Sequence, residues 1–164
     1  MIINRHDLLI ASPIKDMIST KERSHGVSHG LSEAGYDIRI KQEVEFHPGN
    51  SIQPAGVWVN GVYSPGRFTI ASAIEEFDMP PNLAGVVHDK STWARLGLAV
   101  RNTVIEPGWK GFLTLELVYD GCKPLTIPAG AGIAQVIFHR TSCYAAYDGK
   151  YQNQADKPVE AIHE

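Results

Sequence analysis

The sequence predicts a mainly β chain, a distorted barrel or jelly roll with a short N-terminal helical segment and a flexible C-terminal tail. Three observations predict it. Fifteen Gly and ten Pro in 164 residues mark many turns. From Tyr36 onward apolar residues recur with a period of two. Short runs of this kind then follow one another between Gly/Pro-rich connections, the pattern of a barrel, sandwich or jelly roll. The length fits one core, so residues 1–164 are read as one domain. Within it, 1–30 form a helical segment and loop, and 144–164 form a tail.

Taken in order, Arg5 to Ser19 carries an uneven apolar stripe of Leu8, Leu9, Ile10, Ile14 and Met17. Pro13 interrupts it, which predicts one short helix or two helical turns. Ser24 to Ser32 is rich in Ser, Gly and His and reads as a loop. His25 and His29 lie four apart, but Gly26 and Gly30 argue against a helix that would bring them together on a metal. Tyr36, Ile38, Ile40, Val44 and Phe46 alternate with charged residues, a half-buried strand with one slip at Gln42. Val57-Trp58-Val59, Asn60-Gly61 and Val62-Tyr63 predict a hairpin, because a two-residue type I′ turn needs positive φ at both centres. Further strands are expected over 67–72, 83–87, 99–104, 113–118, 124–127 and 133–138.

Composition narrows the function. A formal net charge of -3 gives no global attraction to polyanions, so no nucleic-acid partner is expected. A small anionic ligand needs only a local cluster of donors. Cys122 and Cys143 make neither a disulfide framework nor a metal-ligand set. No basic-then-apolar leader opens the chain and no apolar run approaches membrane-spanning length. The expectation is a reduced, soluble, cytoplasmic protein.

Four segments combine chemistry-bearing residues. Asp89 to Gly97 places Lys90, Ser91, Thr92 and Arg95 together, and a helical turn would set Ser91 and Arg95 on one face. That suits a phosphate, which is held by amides, hydroxyls and a guanidinium fork. The same residues suit a solvated surface turn. Val104 to Gly111 is a Pro-Gly turn with Glu106 at a strand end and Trp109 beyond it. In Leu113-Thr114-Leu115-Glu116-Leu117, alternation separates the leucines from Thr114 and Glu116. If that second face lines a pocket, desolvation raises the pKa of Glu116 toward neutrality; if it faces solvent, Glu116 is ordinary. Gly149 to Gln154 supplies a cation, a phenol and amides in a polar end. The His-x-Glu and Pro-Cys-x-x-Cys pair of zinc-dependent base deaminases is missing, as are the Walker loop, the dinucleotide fingerprint and the nucleophile elbow.

Together and in order, these segments resemble the motifs of the dCTP deaminase/dUTPase superfamily. Residues 33 to 40 (Glu-Ala-Gly-Tyr-Asp-Ile-Arg-Ile) resemble its first motif, and Lys90 to Leu98 its second, phosphate-binding motif. Ile105 to Gly111 followed by Leu113 to Leu117 is similar to the third, and Pro128 to Val136, with Gln135, to the fourth. The tail resembles that of the deaminases, and the glycine-rich fifth motif of dUTPases is missing. Three positions depart from the family pattern: Glu106 replaces an aspartate, Lys90 an arginine, and Asn102 a small residue.

The resemblance implies a dUTPase-like fold and zinc-independent deamination of dCTP to dUTP and ammonia. Glu116 is then the proton shuttle, and Ser91 and Arg95 orient it, the water and the substrate. Lys90, Ser91, Thr92, Arg95, Asn102, Glu106, Trp109 and Gln135 are the implied substrate-binding residues. Tyr147, Lys150, Tyr151 and Gln154 join them from a tail too polar to dock alone, expected to be mobile until it orders over the triphosphate. The resemblance further implies Mg²⁺ bound through the triphosphate, no protein metal ligands, and a homotrimer with sites between subunits. dUTP and dTTP are further candidate ligands. The alternatives are a dUTP diphosphatase or a bifunctional enzyme forming dUMP and, in a different class, a non-catalytic nucleotide-binding regulator.

Overall fold

The computed structural model describes residues 1–163. Among them are the strands β1 (Ile2–Ile3), β2 (Lys21–Ser24), β3 (Val27–Leu31), β4 (Tyr36–Arg39), β5 (Val44–His47), β6 (Gly56–Val59) and β7 (Val62–Pro65). They continue as β8 (Phe68–Asp78), β9 (Leu83–Asp89), β10 (Leu98–Val100), β11 (Val104–Ile105), β12 (Lys110–Tyr119), β13 (Leu125–Ile127) and β14 (Gly132–Arg140). The helices are α1 (Arg5–Ala11) and α2 (Ser91–Ala94). The mainly β expectation holds.

The strands form three sheets: β11-β9-β14-β4-β3-β2 with β1 also on β14, then β10-β12-β8, then β13-β5-β6-β7. Every named pair is antiparallel. The sheets enclose one core in which Tyr36, Phe46, Phe77, Phe138, Ile38, Ile40, Leu115 and Leu117 are fully buried. A bridge between Ile40 and Ala73 and the bond from Lys41 N to Ser72 O tie the first sheet to the second. The slip at Gln42 has a physical cause: its amide is buried on Ser72, accepting from Ser72 N at 2.8 Å and donating to Ser72 Oγ at 2.9 Å.

The predicted hairpin forms β6–β7, with Asn60 and Gly61 at φ 47° and 78°. The expected short helix also forms, over Arg5–Ala11, ending where Ser12 turns left-handed (φ 45°) ahead of Pro13. Three expectations are corrected. The single strand read over 36–46 is two, β4 in the first sheet and β5 in the third. The Ser24 to Ser32 loop is instead a second hairpin, β2–β3, whose turn residues His25 and Gly26 adopt φ 52° and 75°. His29 is therefore a buried strand residue, with Nδ1 unpartnered and Nε2 3.6 Å from Glu22. The strand expected over 99–104 is divided, because the chain leaves β12 after Val100 and joins β9 at Val104.

Candidate active site

β12 lies between β8 and β10, with Glu116 opposite Ile70 and with Val100 opposite Leu117. Its leucines 115 and 117 enter the core, which puts Thr114 and Glu116 on the other face. That face is not simply solvent: Thr114 is buried and Glu116 half-buried. Desolvation alone raises the Glu116 pKa above the ordinary glutamate value.

The main chain of Glu116 is held at both polar groups. Arg101 N donates to its carbonyl at 2.8 Å, and its own N–H donates to Asn102 Oδ1 at 3.2 Å. Asn102 Nδ2 donates to Thr114 O at 2.6 Å. Asn102 therefore stands beside Glu116, with its amide bonded to the strand backbone.

Lys90 and Gln135 come together on a residue that alternation had assigned to the charged side of a half-buried strand. Asp37 is buried on β4, directly opposite Gln135 on β14. Lys90 Nζ donates to Asp37 Oδ2 at 2.5 Å and to Ser28 Oγ at 3.0 Å. Ser28 Oγ donates to the same carboxylate oxygen at 3.0 Å, and Gln135 Nε2 donates to Asp37 Oδ1 at 3.0 Å and Ser32 Oγ at 2.7 Å. With Asp37 side-chain exposure at 3% and Lys90 at 10%, this is an interior ion pair. The available signal was the flanking pair Tyr36 and Ile38, since β4 lies between two neighbouring strands.

Lys90 immediately precedes α2, and Trp93 anchors that turn by donating its indole N–H to Gly132 O at 2.7 Å. Asp89 Oδ1 accepts Val100 N at 2.7 Å, tying the turn to the start of β10's exit toward Asn102. Ser91, Thr92 and Arg95 face solvent within the single chain, and so does Glu106.

The tail departs from the expectation that it is too polar to dock alone. Tyr147 N donates to Pro107 O at 2.8 Å, and Trp109 donates its indole N–H to Tyr151 O at 2.7 Å. Gln152 Nε2 donates to Gly108 O and Tyr147 O, each at 2.9 Å, and its Oε1 accepts Lys110 N at 2.8 Å. Gln154 forms a parallel bridge with Gly111, where an added Cβ would meet Gln154 N at 2.4 Å. Hydrogen bonds, with Tyr147 packed against the core, hold this docking. Lys150 Nζ donates to Ile162 O at 2.6 Å, and Tyr151 Oη accepts Ile162 N at 3.1 Å. Val159 N donates to Thr114 Oγ1 at 3.0 Å, which brings the tail onto the polar face beside Glu116.

This fold is similar to that of EIAV dUTPase, with a TM-score of 0.53 at 18% identity over 85% of this chain and 92% of that one. It is also similar to a point mutant of the dUTPase from phage phi11 of S. aureus, with a TM-score of 0.50 at 14% identity over 80% and 89%. These likenesses define a dUTPase-like fold. In sequence, the family model described as dCTP deaminase-like matches residues 59–141. The dCTP deaminase of Campylobacter concisus is 37% identical over 145 residues, 78% of each chain. That of Roseiflexus castenholzii is 33% identical over 160 residues, 86% of each. The Anaplasma phagocytophilum dCTP deaminase is 33% identical over 166 residues, 91% of this chain and 90% of its own. The chain belongs to the dCTP deaminase-like family.

Proposed function

We propose that this protein hydrolyses dCTP to dUTP and ammonia, with Glu116 as the proton shuttle. One observation carries the reading: within the family-matched segment, a backbone-pinned glutamate sits half-buried on a polar strand face with its pKa raised by desolvation. A carboxyl group whose pKa is raised by desolvation is suited to general acid/base work. Ionised Glu116 takes a proton from water as the oxygen bonds to C4 of cytosine, and delivers that proton to N3. It then moves the proton of the new C4 hydroxyl to the amino nitrogen. The C4–N bond breaks, ammonia leaves, and C4 retains a carbonyl.

The triphosphate supplies binding energy remote from the base, and Mg²⁺ enters with it to neutralise phosphate charge. Tyr147, Lys150, Tyr151 and Gln154 contribute from the tail, which tightens over the triphosphate as substrate binds. Since Ser91 and Arg95 are exposed in the single chain, we assign them to the Glu116 of a neighbouring copy in a homotrimer. The protein is proposed to act in the cytoplasm.

The test supplies dCTP and dUTP separately and resolves ammonia, dUTP, dUMP and pyrophosphate. Ammonia with stoichiometric dUTP from dCTP is the expected result. Formation of dUMP from dUTP would establish a diphosphatase, and turnover of neither would leave a binding protein. Mixing inactive Glu116→Gln with inactive Arg95→Ala subunits should restore activity if sites lie between copies. An inactive mixture of proven hetero-oligomers would refute the shared site.

A further inference from the structure

We infer that Asn102 is a positioning residue for Glu116, gripping the main chain from which the carboxyl projects. The inference rests on the shuttle role proposed above. It starts from the break between β10 and β11. The ladder between β10 and β12 pairs Val100 with Leu117, and the next bond runs from Arg101 N to Glu116 O. There the chain departs to reach β9 at Val104, so no further strand residue serves that edge of β12. Two strand groups facing the edge, Glu116 N–H and Thr114 C=O, then require a partner.

The Asn102 side chain supplies both halves of the missing pairing. Its oxygen accepts Glu116 N–H at 3.2 Å and its nitrogen donates to Thr114 O at 2.6 Å. A planar amide is suited to this, because it carries an acceptor and a donor on one fork. Aspartate keeps the acceptor but sets oxygen against oxygen at Thr114. Alanine supplies neither. The grip lies one bond from the Cα that aims the Glu116 side chain, so its loss moves the carboxyl while the distant parts of the substrate site stay in place. A base-reading role for Asn102 would have the opposite signature, weakened substrate binding with chemistry preserved.

The test compares wild type with Asn102→Ala and Asn102→Asp. The alanine variant is expected to lose roughly 10- to 100-fold in kcat, the scale of a misplaced catalytic group, with KM for dCTP within about twofold. A raised KM with unchanged kcat would overturn the inference. Asn102→Asp places a second carboxylate at the grip and should move the acid limb of the kcat profile to higher pH; an unmoved limb also counts against it.

Amide exchange measured by NMR provides a readout independent of turnover. The Glu116 N–H should exchange faster in the alanine variant than in wild type, while that of Leu115, in the β8 ladder, stays protected. Unchanged exchange at Glu116 refutes the grip. If wild type releases no ammonia from dCTP, the deaminase reading fails, while exchange still decides the grip. If Asn102→Ala does not fold, the aspartate variant carries the test, since it retains the acceptor for Glu116.

Discussion

Two acidic residues on neighbouring sheets have opposite surroundings. Asp37 is deeper than Glu116, and each of its carboxylate oxygens accepts hydrogen bonds, from Lys90 and Ser28 on one side and Gln135 on the other. Glu116 is only half-buried, its main chain is firmly held, and desolvation alone shifts its carboxyl. Depth is therefore a poor guide to chemistry. A charge whose partners are all supplied by the fold is committed to holding strands and α2 together. One held by its backbone with the functional end unsatisfied is free to exchange a proton.

Four predictions bear on this contrast, the largest effect first. Glu116→Gln should cost on the order of a hundred- to ten-thousand-fold in ammonia release while the fold and nucleotide binding persist. Near-wild-type release would break the comparison at its functional end. Asp37→Ala should instead destabilise by about 3–5 kcal/mol in denaturant unfolding, because Lys90 is left buried without a counter-charge. Replacing both members by apolar residues, Asp37→Leu with Lys90→Met, should recover most of that loss. If the double variant is no better than the single, the pair is not acting as a closed unit.

The third turns on pH. Ionising Glu116 costs more in the fold than in the unfolded chain, since desolvation raises its folded pKa. Its stability contribution is thus intact below the unfolded value and declines as pH rises through the raised folded one. Glu116→Gln should accordingly raise Tm above that range, by no more than about 2–4 °C, with the difference vanishing below about pH 4. A Tm gain at low pH alone would reverse the sign and refute the desolvated carboxyl. The smallest effect belongs to Ser28→Ala, about 1 kcal/mol in denaturant unfolding, since Lys90 and Asp37 keep each other. A loss near that of Asp37→Ala would make the hydroxyl, rather than the ion pair, the centre of the cluster.

The sequence disclosed local periodicity and turn chemistry better than tertiary commitments. The Asn60-Gly61 hairpin was legible because its turn residues are the pair that tolerates positive φ at least cost. His25-Gly26 makes the same turn, but histidine is a weaker signal and the surrounding Ser, Gly and His masked the short strands. Glu116 was legible from alternation and motif alike. Asp37 was not, because a period of two assumes one wet face and β4 is covered on both. Asn102 was placed beside the site, yet its partners are main-chain atoms of another strand, and no spacing in the sequence displays them.

The hydrogen bond from Trp109 to Tyr151 gives the protein a built-in optical signal. Were the tail to leave this bond, the indole N–H would meet water and the emission of Trp109 would shift to longer wavelength. Trp93, buried and anchored on Gly132, serves as a reference. With Trp58 replaced by phenylalanine, Trp109 emission reports whether the tail is docked, with no attached dye.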